Sequence, residues 1–158
     1  MDYSFIIRKA APEDAEAIQL ILQEAFKKYM DDTGLSGSME ALEETIDDIK
    51  KHIEEDYVFI ALIDGDPAGT IRVQILEDST GYISRFGVRL QYQNIGIGKA
   101  LMNLVDKLLK SKGVKKVSLH TASKYTALMR FYYGNGFYVE STSTERGYIR
   151  ALMVKEYE

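Results

Sequence analysis

The stretch Arg89-Leu-Gln-Tyr-Gln93-Asn94-Ile95-Gly96-Ile97-Gly98-Lys99-Ala100 decides how the rest of the chain is read. Ahead of it lies Tyr82-Ile83-Ser84-Arg85-Phe86-Gly87-Val88, a run with strand character. Behind it, apolar residues fall at Ile97, Leu101, Leu104, Val105 and Leu108, spaced three and four apart on one helix face. The glycines therefore sit where a strand gives way to a helix. The first N–H groups of a helix have no partner inside it, and its dipole is positive at that end. A phosphate suits such a place. Gly96 and Gly98 carry no Cβ, so an anion can come close to the backbone there.

Two familiar phosphate loops do not fit these letters. A Walker-type loop needs glycine at position 93 and Ser or Thr at position 100, where the chain has Gln and Ala. A dinucleotide fingerprint needs a third glycine where Leu101 stands, and an acid about twenty residues on. What remains is Gln-x-x-Gly-x-Gly after a strand. It resembles the acyl-coenzyme-A loop of the GNAT acetyltransferase superfamily, Gln/Arg-x-x-Gly-x-Gly/Ala.

At 158 residues the chain predicts one domain over residues 1–158, enough to bury roughly two-thirds of its unfolded surface. No apolar run approaches the ~20 residues of a membrane span. The opening Met1-Asp-Tyr-Ser-Phe-Ile-Ile-Arg8 runs into a strand pattern without a signal-peptide layout. With no Cys there is no disulfide framework and no thiolate nucleophile, and two histidines argue against a metal site. A cytoplasmic protein without a membrane partner is the expectation. Residues 1–80 hold 7 Lys/Arg against 19 Asp/Glu, whereas residues 81–158 hold 13 against 5. The half with the glycine loop is basic, as a polyanionic ligand favours. Ten of the acids fall within residues 31–56. They read either as a solvated helix face or as an acidic rim that attracts a cationic acceptor. The acidic pI of about 5.3 and the lack of an extended basic stripe disfavour nucleic acid.

In order, residues 5–8 predict a strand, and Pro12-Glu13-Asp14 opens a helix whose apolar face is Ala15, Ile18, Leu22, Ala25, Phe26 and Tyr29. A second helix follows along Met39, Leu42, Ile46, Ile49 and Ile53. Three antiparallel strands come next, the first two joined at Asp64-Gly65. After the helix at Ile97, Gly113 marks a stop. Residues 114–121 then form a strand parallel to residues 82–88. Residues 125–133 predict a short helix, ended by Gly134-Asn135-Gly136, and residues 137–141 and 148–157 a final strand pair.

This order resembles the GNAT fold over essentially the whole chain. The resemblance implies an α/β (α+β) architecture: a mixed, mostly antiparallel sheet of six or seven strands flanked by about four helices, with a central parallel pair splayed at the acyl-CoA site. It implies acetyl-CoA as co-substrate, with pantetheine amides meeting backbone near Phe86 and Val88. The pyrophosphate would rest on the amides of Gln93, Asn94, Ile95, Gly96, Ile97, Gly98 and Lys99. A second motif, Tyr125-Thr-Ala-Leu128-Met-Arg-Phe131-Tyr132-Tyr133-Gly-Asn-Gly136-Phe137, resembles the family's Asn-x-x-Ala-x-x-Leu-Tyr-x-x-x-Gly-Phe element. Tyr132 takes the place of the tyrosine that protonates the departing thiolate. Tyr133 should point elsewhere. Tyr125 replaces the usual Asn and is expected to pack against the coenzyme. Residues 82–88 hold no carboxylate to serve as base, which leaves His120, Glu145 or water past Ser84.

The function implied is acetyl-CoA-dependent N-acetyl transfer, by direct attack of a primary amine (small molecule or peptide) on the thioester, with no metal. Two alternatives stay open: an acyl-CoA-binding regulatory domain, and transfer of a longer acyl chain. A homodimer is left open as well.

Overall fold

The computed structural model describes residues 4–34 and 40–158. Seven strands form one sheet: β1 Phe5–Lys9, β2 Tyr57–Ile63, β3 Asp66–Ile75, β4 Gly81–Val88, β5 Lys116–Ala122, β6 Tyr138–Ser143 and β7 Arg150–Glu156. Across the sheet they lie in the order β1-β2-β3-β4-β5-β7-β6. Every neighbouring pair is antiparallel except β4 and β5, which are parallel. The helices are α1 Ala15–Thr33, α2 Glu40–Glu43, α3 Ile46–Glu55, α4 Ile97–Ser111 and α5 Thr126–Gly134.

Both faces of the sheet are covered, so its middle strands are apolar almost throughout rather than alternating. In β2, Phe59, Ala61 and Ile63 join the cluster that holds Leu101, Val105 and Leu109 of α4. Val58 and Ile60 face the other way, toward Ile18, Ile21 and Leu22 of α1 and Ile49 and Ile53 of α3. The β2–β3 hairpin turns on Asp64 and Gly65 at φ 49° and 81°, the primed geometry that an Asp-Gly pair favours.

The single helix expected along Met39, Leu42, Ile46, Ile49 and Ile53 is two helices, with Met39 outside the described residues. Thr45 caps α3: its side chain accepts from the Asp48 N–H, and the Asp48 carboxylate accepts from the Thr45 N–H. This reciprocal capping box starts a new helix in the middle of an unbroken apolar stripe. The break is why five helices flank the sheet where about four are expected.

β5 begins at Lys116, two residues later than the pattern suggests, because Val114 is used to close α4. Its N–H donates to the Leu109 carbonyl and that of Gly113 to Lys110, a Schellman stop with Gly113 at φ 75°. The same device ends α5, where the Phe137 N–H donates to the Tyr132 carbonyl. Phe137 is thereby buried as a cap residue, and β6 starts at Tyr138.

The strand β4 is irregular on both edges. Its register with β3 shifts between Thr70 and Arg72, where Arg85 takes φ 50° in a bulge. On its other edge, pairing with β5 covers only Gly81↔Val117 and Tyr82↔Ser118. Beyond Tyr82 the two strands part.

Candidate functional site

Where β4 and β5 separate, a cleft of about 980 Å³ runs through the molecule. One end meets the turn before α4. Asn94 has φ 65° and Gly96 φ 94°. Such alternation points successive N–H groups into one concavity. Among the described residues, the N–H groups of residues 94–99 donate to no protein acceptor; the first helical bond of this end runs from Ala100 N–H to the Gly96 carbonyl. This is a cradle for an anion, and it suits the pyrophosphate of a coenzyme A.

The two glycines have separate causes. A Cβ on Gly96 would meet nothing within 4 Å, so its backbone angle is what requires glycine. A Cβ on Gly98 would lie 3.2 Å from Phe86 Cζ and 3.3 Å from Phe131 Cζ. Gly98 therefore lets α4 seat against the stacked rings of Phe86 and Phe131, whose centroids are 5.5 Å apart.

The edges of the split differ. On β4, Gly87 pairs with Thr70 of β3 and the Arg89 N–H donates to Ala68. By alternation, Phe86 and Val88 direct their backbone groups toward the opening. The Val88 carbonyl accepts from Gln93 Nε2 at 3.3 Å. On β5, the Ala122 N–H donates to the Tyr29 hydroxyl at 2.5 Å. Tyr29 thus reaches from α1 into the angle between the strands. Its ring lies against Tyr125 at 5.0 Å between centroids, and the Tyr125 hydroxyl donates to Asp32 at 3.2 Å. Burial and the Asp32 charge push Tyr125 up to about 12.

Tyr132 is 5% exposed and lines the cleft, among Phe86, Phe131 and Phe137. Burial, reinforced by Tyr29 and Tyr125, pushes its hydroxyl far above the ordinary tyrosine range. Burial thus favours the neutral phenol over the phenolate. Tyr133 is 52% exposed and lies outside the lining.

At the other end, the α1 and α3 side of the sheet presents Tyr82, Ser84, His120, Tyr148 and several arginines. Tyr82 Oη and His120 Nδ1 share a hydrogen bond of 2.6 Å. Burial lowers the pKa of His120, and the charges of Arg150 and Arg146 lower it further. Glu44, from the break before α3, binds both terminal nitrogens of Arg72 at 2.8 and 3.0 Å and lies 3.3 Å from Arg85 Nε. Burial alone would raise its pKa, but Arg72 and Arg85 outweigh that and hold the carboxyl below the usual range.

The cleft gathers Phe86, Val88, Gln93, Asn94, Gly96, Ile97, Gly98, Lys99, Tyr125 and Tyr132. Ile95 is the exception: its side chain packs on the core cluster, leaving only its backbone to the turn. Of the three base candidates, His120 and Ser84 line the cleft, while Glu145 is exposed and does not. Tyr29, Tyr82 and the arginines escape sequence reasoning. Tyr82 and His120 each sit at an even position of strands whose odd residues, Ile83, Val117 and Leu119, are core. That alternation was the available signal.

The acetyltransferase (GNAT) family's sequence model matches residues 22–137. A spermidine N(1)-acetyltransferase of Thermoplasma acidophilum is 27% identical over 164 residues, covering 98% of this chain and 99% of that protein. The crystal structure of the PaiA N-acetyltransferase of Thermoplasma acidophilum, in complex with coenzyme A, superposes with a TM-score of 0.85 at 26% identity, over 98% of this chain and 99% of that one. Ard1 of Thermoplasma volcanium shares the fold, with a TM-score of 0.79 at 20% identity and 98% of each chain covered.

Proposed function

Because the chain belongs to the GNAT acetyltransferase family and is thereby an acyltransferase, we propose that it moves the acetyl group of acetyl-CoA by direct attack of a primary amine on the thioester. One observation carries this reading: the unpartnered N–H groups of residues 94–99 and the buried hydroxyl of Tyr132 open onto the same cleft at the β4–β5 split. In the reaction a C–N bond forms, the C–S bond breaks, and coenzyme A leaves as a thiolate that needs a proton. The Tyr132 hydroxyl supplies it. The amides near Phe86 and Val88 hold the pantetheine arm, Tyr125 packs beside it, and residues 93–99 hold the pyrophosphate. One domain over residues 1–158 does all of this.

The attacking ammonium must also lose a proton, and His120 is the group placed to take it. In the tautomer whose Nδ1–H donates to the Tyr82 oxygen, Nε2 is left as a free acceptor. A lowered pKa keeps that nitrogen unprotonated at pH 7. With His120 acting, kcat/KM should be level by about pH 7.5, a unit above the ordinary histidine value near ~6.5. In His120→Gln it should climb through pH 8 with the ionisation of the amine, whose pKa is near ~10. A wild-type profile that climbs in the same way would assign the proton to water instead.

The decisive experiment is thiol release from acetyl-CoA across a panel of amines, with Tyr132→Phe in parallel. Turnover should fall by ~10²-fold or more in the variant while coenzyme A affinity holds. No thiol release with any amine, despite tight coenzyme binding, would leave a binding domain in place of an enzyme.

A further inference from the structure

The end of the cleft away from the glycine turn holds more arginine than acetyl transfer requires. Arg72 of β3, Arg85 of the β4 bulge, Arg146 of the β6–β7 turn and Arg150 at the start of β7 all line it. Arg72 and Arg85 divide Glu44 between them. Arg146 comes within 3.5 Å of Glu40, which is also 4.0 Å from Arg85. Among the described residues Arg150 has no carboxylate within ion-pair distance, and its Nε is closed off from water with no hydrogen-bond partner. Arg72 and Arg85 keep Glu44 as a counter-charge, which leaves Arg150 as the arginine of this lining with neither a hydrogen bond at Nε nor an ion pair among the described residues. A cation without a counter-charge at the wall of a cleft favours an anionic ligand. The terminal nitrogens of Arg150 face the cleft, and a guanidinium so placed gains most from a carboxylate, whose two oxygens match its fork.

We propose that the acetyl acceptor is a primary amine that also carries a carboxylate, an amino acid or a molecule of that size. Its carboxylate is held by Arg150 and Arg146, and its amine is directed at the thioester. This rests on the acetyl-transfer reading and narrows its acceptor. The arrangement also serves the chemistry, since an ammonium entering an arginine-lined chamber gives up its proton more readily than in water. A polyamine brings no counter-charge for Arg150.

The test sets each proteinogenic amino acid against its own amide, with spermidine alongside, in the thiol-release assay with wild type, Arg150→Gln and Arg146→Gln. At least one amino acid should exceed its amide by tenfold or more in kcat/KM. The preference should shrink toward unity in Arg150→Gln, mainly through KM. Arg146 is half exposed, so Arg146→Gln carries the test if Arg150→Gln does not fold, as thermal unfolding will tell. A parallel titration of the same probes onto the coenzyme A complex separates the two readings. Binding of an amino acid that its amide lacks and the variants lose, with no turnover, would remove the acetyl-transfer reading and leave the carboxylate site standing. Equal response to acid and amide in both assays, or a preference for spermidine that neither arginine affects, would overturn the carboxylate site.

Discussion

Gly96 and Gly98 stand two residues apart, yet different forces keep them glycine. At Gly96 the constraint is a positive φ in open space, so Gly96→Asn and Gly96→Asp carry the same bulk and nearly the same strain. They differ in charge, and calorimetry should find coenzyme A at least tenfold weaker on the Asp variant than on the Asn variant, since only Asp opposes the phosphates. Equal affinities would move the anion away from this turn. At Gly98 the constraint is contact, and Gly98→Ala presses on Phe86 and Phe131. Overpacking of this kind costs about 1–3 kcal/mol, to be read as a lower urea midpoint. Tyr132 makes a third expectation. Burial raises its pKa, so the phenol stays protonated to higher pH than free tyrosine near ~10. The acid side of the reaction should therefore lose nothing up to pH 9.5. A falling limb below pH 9 that vanishes in Tyr132→Phe would contradict this.

Among the elements, the junction of α2 and α3 joins structure to site. Its break frees Glu44 to turn inward onto Arg72, which is 3% exposed. Removing one partner of a buried pair typically costs about 3–5 kcal/mol, because the other charge is left unpaired. Glu44→Gln should lose stability on that scale at pH 7. The folded pKa of Glu44 is depressed, so its contribution is present above the unfolded value near ~4.3 and fades as pH falls through the folded one. The gap between wild type and variant in urea unfolding should narrow as pH is taken below ~4.3. Thr45→Ala, by contrast, should cost about 1 kcal/mol at any pH where the cap forms. The break itself was legible: Thr45-x-x-Asp48 is a helix start, hidden because the stripe Leu42, Ile46, Ile49, Ile53 runs through it without a phase error. Apolar periodicity reports which face is buried, and it is blind to an interruption that keeps the phase.

Over the whole molecule, the strand and helix order, the parallel β4–β5 pair and the residues gathered at the glycine-turn end of the cleft were readable from the chain, because each belongs to a local pattern of fixed spacing. The arginine-lined end was not. Arg72, Arg85, Arg146 and Arg150 are scattered through four stretches, and only the bulge in β4 and the return of β7 beside β5 bring them together. The ten acids within residues 31–56 illustrate the same limit. Charge counting registers an acidic segment, but Glu44 is matched to Arg72 and Arg85, and Glu40 to Arg146. That basic half should still speed the arrival of a polyanion. Exposed charges are screened beyond roughly 8 Å at physiological salt, so kcat/KM for acetyl-CoA should fall as ionic strength rises while kcat changes little.

The two residue pairs that join β4 to β5 have a mechanical consequence. Among the described residues they are the only strand pairing that ties the four-stranded block β1–β4 to the three-stranded block β5–β7–β6, and α4 braces this hinge line from one face. A molecule lying along the opening would act as a clasp across it, bonding to β4 on one side and resting on α5 on the other. Deuterium uptake should then be fastest at the amides flanking the opening. Coenzyme A should slow it there more than anywhere else in the sheet, raising the unfolding temperature in the same titration. The enzyme would be most tightly fastened when loaded, and each release of product would briefly unlatch the sheet along this line.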